Sequence, residues 1–138
     1  YDAVTFLYAF GHIPSKEERK KSLDKVFRAL RPGGRFYFDV FNVNNPNEWG
    51  PEALALFEEL ELANEGYERG DLFYKRHGGK TVAFLHYCTA EGIQALIASC
   101  GFDVHAVHRI GYVERPGEQL GEEGDGGNLL VVAEKPAI

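Results

Sequence analysis

The chain has 138 residues, of which 44% are hydrophobic, 26% charged and 13% aromatic. That is an ordinary globular composition, which excludes a disordered, collagen-like or disulfide-stapled chain. Twenty-one acidic residues outweigh fifteen basic ones for a formal charge of −6, and the first forty residues hold eight of the basic side chains, so a nucleic-acid backbone is not an expected partner.

Residues 2 to 8, DAVTFLY, form a short apolar run of the kind buried in a parallel sheet. After the loop AFGHIP, Ser15 opens the capping box S-K-E-E, and Leu23, Val26, Phe27 and Leu30 recur at i, i+3, i+4 and i+7. The spacing predicts a helix that buries this stripe and exposes Lys16, Arg19, Lys20, Lys21, Lys25 and Arg28 as a solvated face. Pro32-Gly33-Gly34 stops it, and RFYFDVF at 35–41 reads as a second buried strand. Together these pieces make a right-handed βαβ unit, with the loop NVNNPNEWG at the carboxyl end of its second strand.

Helical composition runs from Pro51 to about Asn64. Strands are predicted at 71–76 and 81–87 around a His77–Lys80 turn, giving an inserted hairpin at about 66–88. Thr89 caps a third helix with a stripe of Ile93, Leu96 and Ile97, ended by Gly101. Phe102 to His108 alternates as a half-buried strand, 114–127 is glycine-rich and acidic and is expected to be a mobile loop, and NLLVVAEK forms the last strand. Cys88 and Cys100 lack metal-ligand spacing and read as small core residues; no metal site is expected. No apolar run approaches the ~20 residues of a membrane helix, so no membrane association is expected; the expected location is cytoplasmic. The chain contains no Met and starts on a bulky Tyr1, from which we expect an excerpt of a longer protein. The fold class is α/β, with a mixed, mostly parallel sheet.

The run YDAVTFLYAFGHIPSKEERKKSLDKVFRALRPGGRFYFDVFN resembles the middle of class I S-adenosylmethionine-dependent methyltransferases. In that family an Asp-led fourth strand precedes a helix ending in R-x-L-[KR]-P-G-G and then a fifth strand. The matching residues are Asp2, Arg28, Leu30, Arg31, Pro32, Gly33 and Gly34. TAEGIQALIASCGF is similar to the family's last helix and the start of its sixth strand, and NLLVVAEK to its antiparallel seventh. The family's glycine-rich loop after strand 1 has no counterpart, since the cluster at 121–127 precedes a strand instead of a helix.

The resemblance implies a Rossmann-like methyltransferase sheet, here strands 4 to 7 as the C-terminal half of one domain. It implies S-adenosylmethionine as cofactor and a small molecule as methyl acceptor. It places Leu7, Tyr8, Ala9 and Phe10 against the cofactor and His12 as the catalytic base or orienting group, a role an imidazole can fill near neutral pH. Asn42 and Trp49 of the loop, and Arg76 and Tyr87 of the hairpin, are the expected acceptor-binding residues; a homodimer contact is the other role open to the hairpin. Asp39, on a buried strand, needs a partner or a place at the open end of the sheet. The isolated chain is expected to be inactive, and the alternative from another class is a non-catalytic, methyltransferase-derived interaction module that needs a partner.

Overall fold

The computed structural model describes residues 1–111, 116–121 and 126–137, with the backbone alone at Arg76 and His77. The expected loop at 114–127 falls partly outside the described residues. Where it is described, Gln119 bridges Ile110 and the Gly111 amide donates to the Glu118 carbonyl at 2.8 Å.

Strand β1 (Ala3–Phe6) leads through a 3-10 turn (Phe10–His12) into helix α1 (Lys16–Ala29). Ser15 caps α1 by accepting from the Glu18 amide at 3.2 Å. Ser15→Ala is expected to lower stability by about 1 kcal/mol in urea titration, because that amide loses its only built-in acceptor at the helix start. The helix ends at Leu30, whose amide still bonds the Val26 carbonyl, and Gly33 at φ 80° turns the chain into β2 (Arg35–Asn42). Pairing of β1 with β2 is parallel, with Ala3 opposite Arg35 and Phe6 opposite Phe38.

Helix α2 (Gly50–Glu59) is shorter than its composition suggests, because Glu61 takes a left-handed conformation at φ 49° and only a 3-10 turn (Leu62–Glu65) follows. Strands β3 (Asp71–Arg76) and β4 (Thr81–Cys88) form the hairpin, turning at Gly78 and Gly79 with positive φ. The hairpin is not a free-standing insert. Phe41 and Asn42 of β2 pair in parallel with Tyr87 and Cys88 of β4, on the edge β1 occupies further back, so β4 extends the sheet past the end of β1.

Helix α3 (Ala90–Ser99), capped by Thr89 through the Gly92 amide, leads to β5 (Asp103–Ile110). The final strand β6 (Asn128–Glu134) lies antiparallel between β2 and β5, giving the order β3-β4-β2-β6-β5 with β1 beside β2. The alternation expected from Phe102 onward breaks at His105: a bulge between Val104 and Ala106 leaves it without a register partner, and Val104 and Val107 both pack on the core.

The main core joins Leu23 of α1 and Ile93 and Ile97 of α3 to one face of the sheet, through Phe36, Phe38, Val40, Leu129, Val131 and Ala133. A second cluster unites Phe41 and Val43 with Ala53 of α2 and Leu72, Leu85 and Tyr87 of the hairpin. Both helices α1 and α3 therefore hold one face of β2, whose carboxyl end stays buried through Val43, while β1 runs out to exposed Leu7 and Tyr8.

Candidate functional site

Immediately past β1, Tyr8 adopts φ 54°, a left-handed conformation that a side chain rarely takes. Its amide is turned onto Asp39 Oδ1 at 2.6 Å. Asp39 is 4% exposed on β2, and burial pushes its carboxyl pKa up, against the opposing Tyr8 hydrogen bond. The partner Asp39 needs is thus a backbone N–H, and the pair pins the carboxyl end of β1 to that of β2. Strained non-glycine residues concentrate at functional sites because something must hold them there; here it is a buried carboxylate.

The expected cofactor residues separate by depth. Leu7 and Tyr8 are about half exposed, at 51% and 50%, and Ala9 is intermediate. Phe10 is 1% exposed and stacks at a tilt on Phe38 with ring centroids 5.6 Å apart, so its side chain belongs to the core. His12 is exposed, its ring edge-on to Phe41 at 5.5 Å. The turn that carries it fits because position 11 is glycine: a Cβ there would lie 2.3 Å from the Phe41 ring. Tyr8, Ala9, Gly11, Asp39, Val40 and Phe41 line a narrow crevice.

The expected acceptor residues do not converge on one spot. Asn42 is buried and turned inward, donating to the Gly127 carbonyl at 3.1 Å and accepting from the Asn44 amide at 3.0 Å. Trp49, half exposed, packs on Tyr74 of β3 at 5.3 Å. The Arg76 side chain lies outside the described residues. Tyr87 is buried with its hydroxyl 3.5 Å from Glu48, and burial raises its pKa, as it does that of Glu48.

A charged network that the sequence reading missed joins α1 to the hairpin. Arg19 is not on a solvated face: it is 2% exposed, its Nη1 donates to the Ile13 carbonyl at 2.6 Å, and its Nη2 lies 3.4 Å from Glu68 and 3.8 Å from Asp71. Asp71 and His86 are directly opposite on β3 and β4, with His86 Nδ1 2.7 Å from Asp71 Oδ1 and Nε2 3.0 Å from Glu68 Oε1. Burial disfavours charge on His86, but hydrogen bonds with Asp71, Cys88 and Glu68 outweigh it and lift its pKa to about 10. The Glu68 pKa is lowered, first by its bond from His86. Helical periodicity carried a signal for Arg19, which stands four residues before Leu23 and so extends the buried stripe by one turn.

Beside this network opens a cavity of about 580 Å³ between the first turns of α1, the carboxyl end of β4 and α3. It shares no lining residue with the crevice at Tyr8 and Asp39. Among the described residues no group of three or more His, Cys, Asp or Glu could hold a metal ion, and no helix is long and apolar enough to cross a membrane. Cys88 and Cys100 are free thiols, the first buried and the second partly so.

A βαβ unit followed by α3, with an antiparallel last strand inserted beside β2, is a Rossmann-like methyltransferase sheet. No protein-family model matches the sequence, and no curated protein does. Solved structures do. An S-adenosylmethionine-dependent methyltransferase from Methanosarcina mazei superposes with a TM-score of 0.73 at 19% identity, covering 100% of this chain and 60% of that one. The 1,6-didemethyltoxoflavin-N1-methyltransferase of Burkholderia thailandensis, with bound 1,6-didemethyltoxoflavin and S-adenosylhomocysteine, gives 0.58 at 17% over 98% of this chain and 44% of its own. A possible histamine N-methyltransferase from Thermotoga maritima gives 0.59 at 14%, over 97% and 55%. The chain thus has the fold of class I S-adenosylmethionine-dependent methyltransferases and spans between 44% and 60% of the length of these three.

Proposed function

We propose that this chain belongs to an S-adenosylmethionine-dependent methyltransferase acting on a small molecule. The observation that carries the reading is the junction of β1 and β2, where the strained Tyr8 is clamped to buried Asp39 inside a sheet of methyltransferase topology. Bound there, S-adenosylmethionine supplies an electrophilic methyl group. Leu7 and Tyr8 offer it exposed side chains, Ala9 a partly exposed one, and Phe10 backbone alone. Methyl transfer asks little covalent chemistry of the protein beyond alignment and, for some acceptors, a base. His12 is the base or orienting group, held edge-on by Phe41. On the acceptor side the reading keeps Trp49, half exposed against Tyr74, and Arg76 by its place on β3, whereas Tyr87 is buried in the hairpin cluster with its hydroxyl on Glu48.

Support for a small acceptor comes from two superposed proteins: one is named for 1,6-didemethyltoxoflavin and bound to it, the other titled a possible histamine N-methyltransferase. The test is methyl incorporation from labelled cofactor by the longest gene product that contains these residues. His12→Ala is expected to cut turnover by 10²–10⁴-fold, the usual worth of a general base, with cofactor affinity retained by calorimetry. Unchanged turnover would remove His12 from the mechanism, and no cofactor binding at all would remove the reading. The 138 residues alone are expected to be inactive, because the sequence has no glycine-rich loop between a strand and a helix start to take the cofactor.

One observation favours the second reading, an interaction module. Among the described residues β1 pairs only with β2, which leaves its other edge open next to exposed Leu7 and Tyr8. Open apolar edges invite another strand. Exposed Phe73 and Val82 on the hairpin favour contact with a second copy. Light scattering of the chain tests both: a well-behaved monomer speaks against each.

A further inference from the structure

We propose that the cavity framed by α1, the carboxyl end of β4 and α3 is a binding site for a small organic anion, a carboxylate or phosphate carried on an apolar body. It lies apart from the crevice where the cofactor is placed, and the proposal does not depend on the methyltransferase reading. At about 580 Å³ the cavity has the size of a ligand pocket and is far larger than a bare phosphate needs.

Its charge is one-sided. Lys16, Arg19, Lys20, Arg69 and His86 line it against Glu68 as the single carboxylate, in a chain whose formal charge is −6. On the floor, Arg19 and His86 are fixed by the Ile13 carbonyl, Asp71 and Glu68, so their positions are set before any ligand arrives. The surplus is at the mouth. Lys16 reaches Glu68 at only 3.6 Å and Arg69 reaches Glu58 at 3.7 Å, whereas Lys20 makes no salt bridge with a described carboxylate. The start of α3, at Thr89 and Gly92, borders the same space and adds the positive end of a helix dipole. Val43, Leu54, Ile93 and Leu96 supply the apolar wall. Cations gathered in a cleft with low-dielectric walls focus their field on an anion, while the apolar wall rewards a body that inorganic phosphate lacks.

The experiment is an amide-resolved NMR titration of the full chain with phenyl phosphate and with benzoate, using inorganic phosphate and neutral benzyl alcohol as comparisons. Saturable shifts at Gly92, Ile93 and Leu96 are expected with phenyl phosphate, benzoate or both, which tells the two anion types apart. Benzyl alcohol and inorganic phosphate should bind at least tenfold more weakly. Lys20→Glu should weaken the organic anion at least tenfold and Lys20→Arg should restore it; the amide spectrum reports that each variant is folded. Absence of saturable shifts at these amides, indifference to Lys20→Glu, or equal binding of either comparison would overturn the proposal.

Discussion

Replacing His86 with leucine is expected to lower the unfolding free energy by about 3–5 kcal/mol, the usual consequence of removing one member of a buried ionic network. Asp71, 5% exposed, would keep only Arg19 at 3.8 Å and the Glu68 amide at 2.9 Å. The same pair sets a pH dependence. His86 binds its proton more tightly folded, with a pKa of about 10, than at its ordinary value of 6.5. Its stabilisation is therefore complete below about pH 6.5 and drains away as pH rises toward 10. Glu68, lowered in the fold, acts on the other side: its contribution is present above the ordinary carboxylate range and is lost as pH falls through its folded pKa. Urea titrations of the wild type and His86→Leu at pH 6, 8 and 10 should show the gap between them shrinking with each step. A gap under 1 kcal/mol that ignores pH would mean the network is a solvated cluster. An imidazole resonance of His86 already titrated at pH 8 would mean the same.

Gly70→Ala should be of similar size, about 2–5 kcal/mol, from left-handed backbone strain together with overpacking. Gly70 sits at φ 102°, and a Cβ there would lie 2.2 Å from the Tyr87 carbonyl oxygen, an atom fixed in the β4 backbone. The Gly70 carbonyl in turn accepts from the Tyr87 amide at 2.9 Å, so relief requires the start of β3 to peel from β4, and Asp71 with it. Gly66→Ala is the control. Its φ is 85° but nothing lies within 4 Å of the added Cβ, so only the strain is felt, about 1 kcal/mol. Equal effects at the two positions in thermal or urea unfolding would show that the close approach at Gly70 is relieved without cost.

Local rules carried most of the element order. The capping Ser15, the Pro32-Gly33 stop, the capping Thr89 and the turn at Gly101 with φ 98° each act within a few residues, and each is where the chain bends or a helix begins. What escaped acts across the chain. Asp71 and His86 meet only through the register of β3 on β4, and Arg19 reaches them from a helix far earlier in the sequence. No spacing rule joins those positions. The bulge at His105 and the left-handed Glu61 are set by pairing to β6 and by the turn into the 3-10 segment, against residue types that fit an unbroken strand and helix. At the candidate site, the turn that carries Phe10 to His12 was legible as the loop AFGHIP after an apolar run. The depth of Phe10 and the inward turn of Asn42 were not, since both depend on what packs behind them.

The place of β6 bears on how the molecule is made. Residues 128–134 are threaded between β2 and β5, with Glu134 opposite both Arg35 and Asp103. A nascent chain can form α1, pair β1 with β2 and close the hairpin as these segments emerge. Until β6 has left the ribosome, β2 lacks its antiparallel neighbour and β5 has no strand to join. At elongation rates of roughly 5–20 residues per second that leaves an interval of seconds in which Phe36, Phe38 and Val40 stand half covered. Completion of the sheet is then a non-local event that waits on β6, and the hazard in the cell is concentrated in that wait.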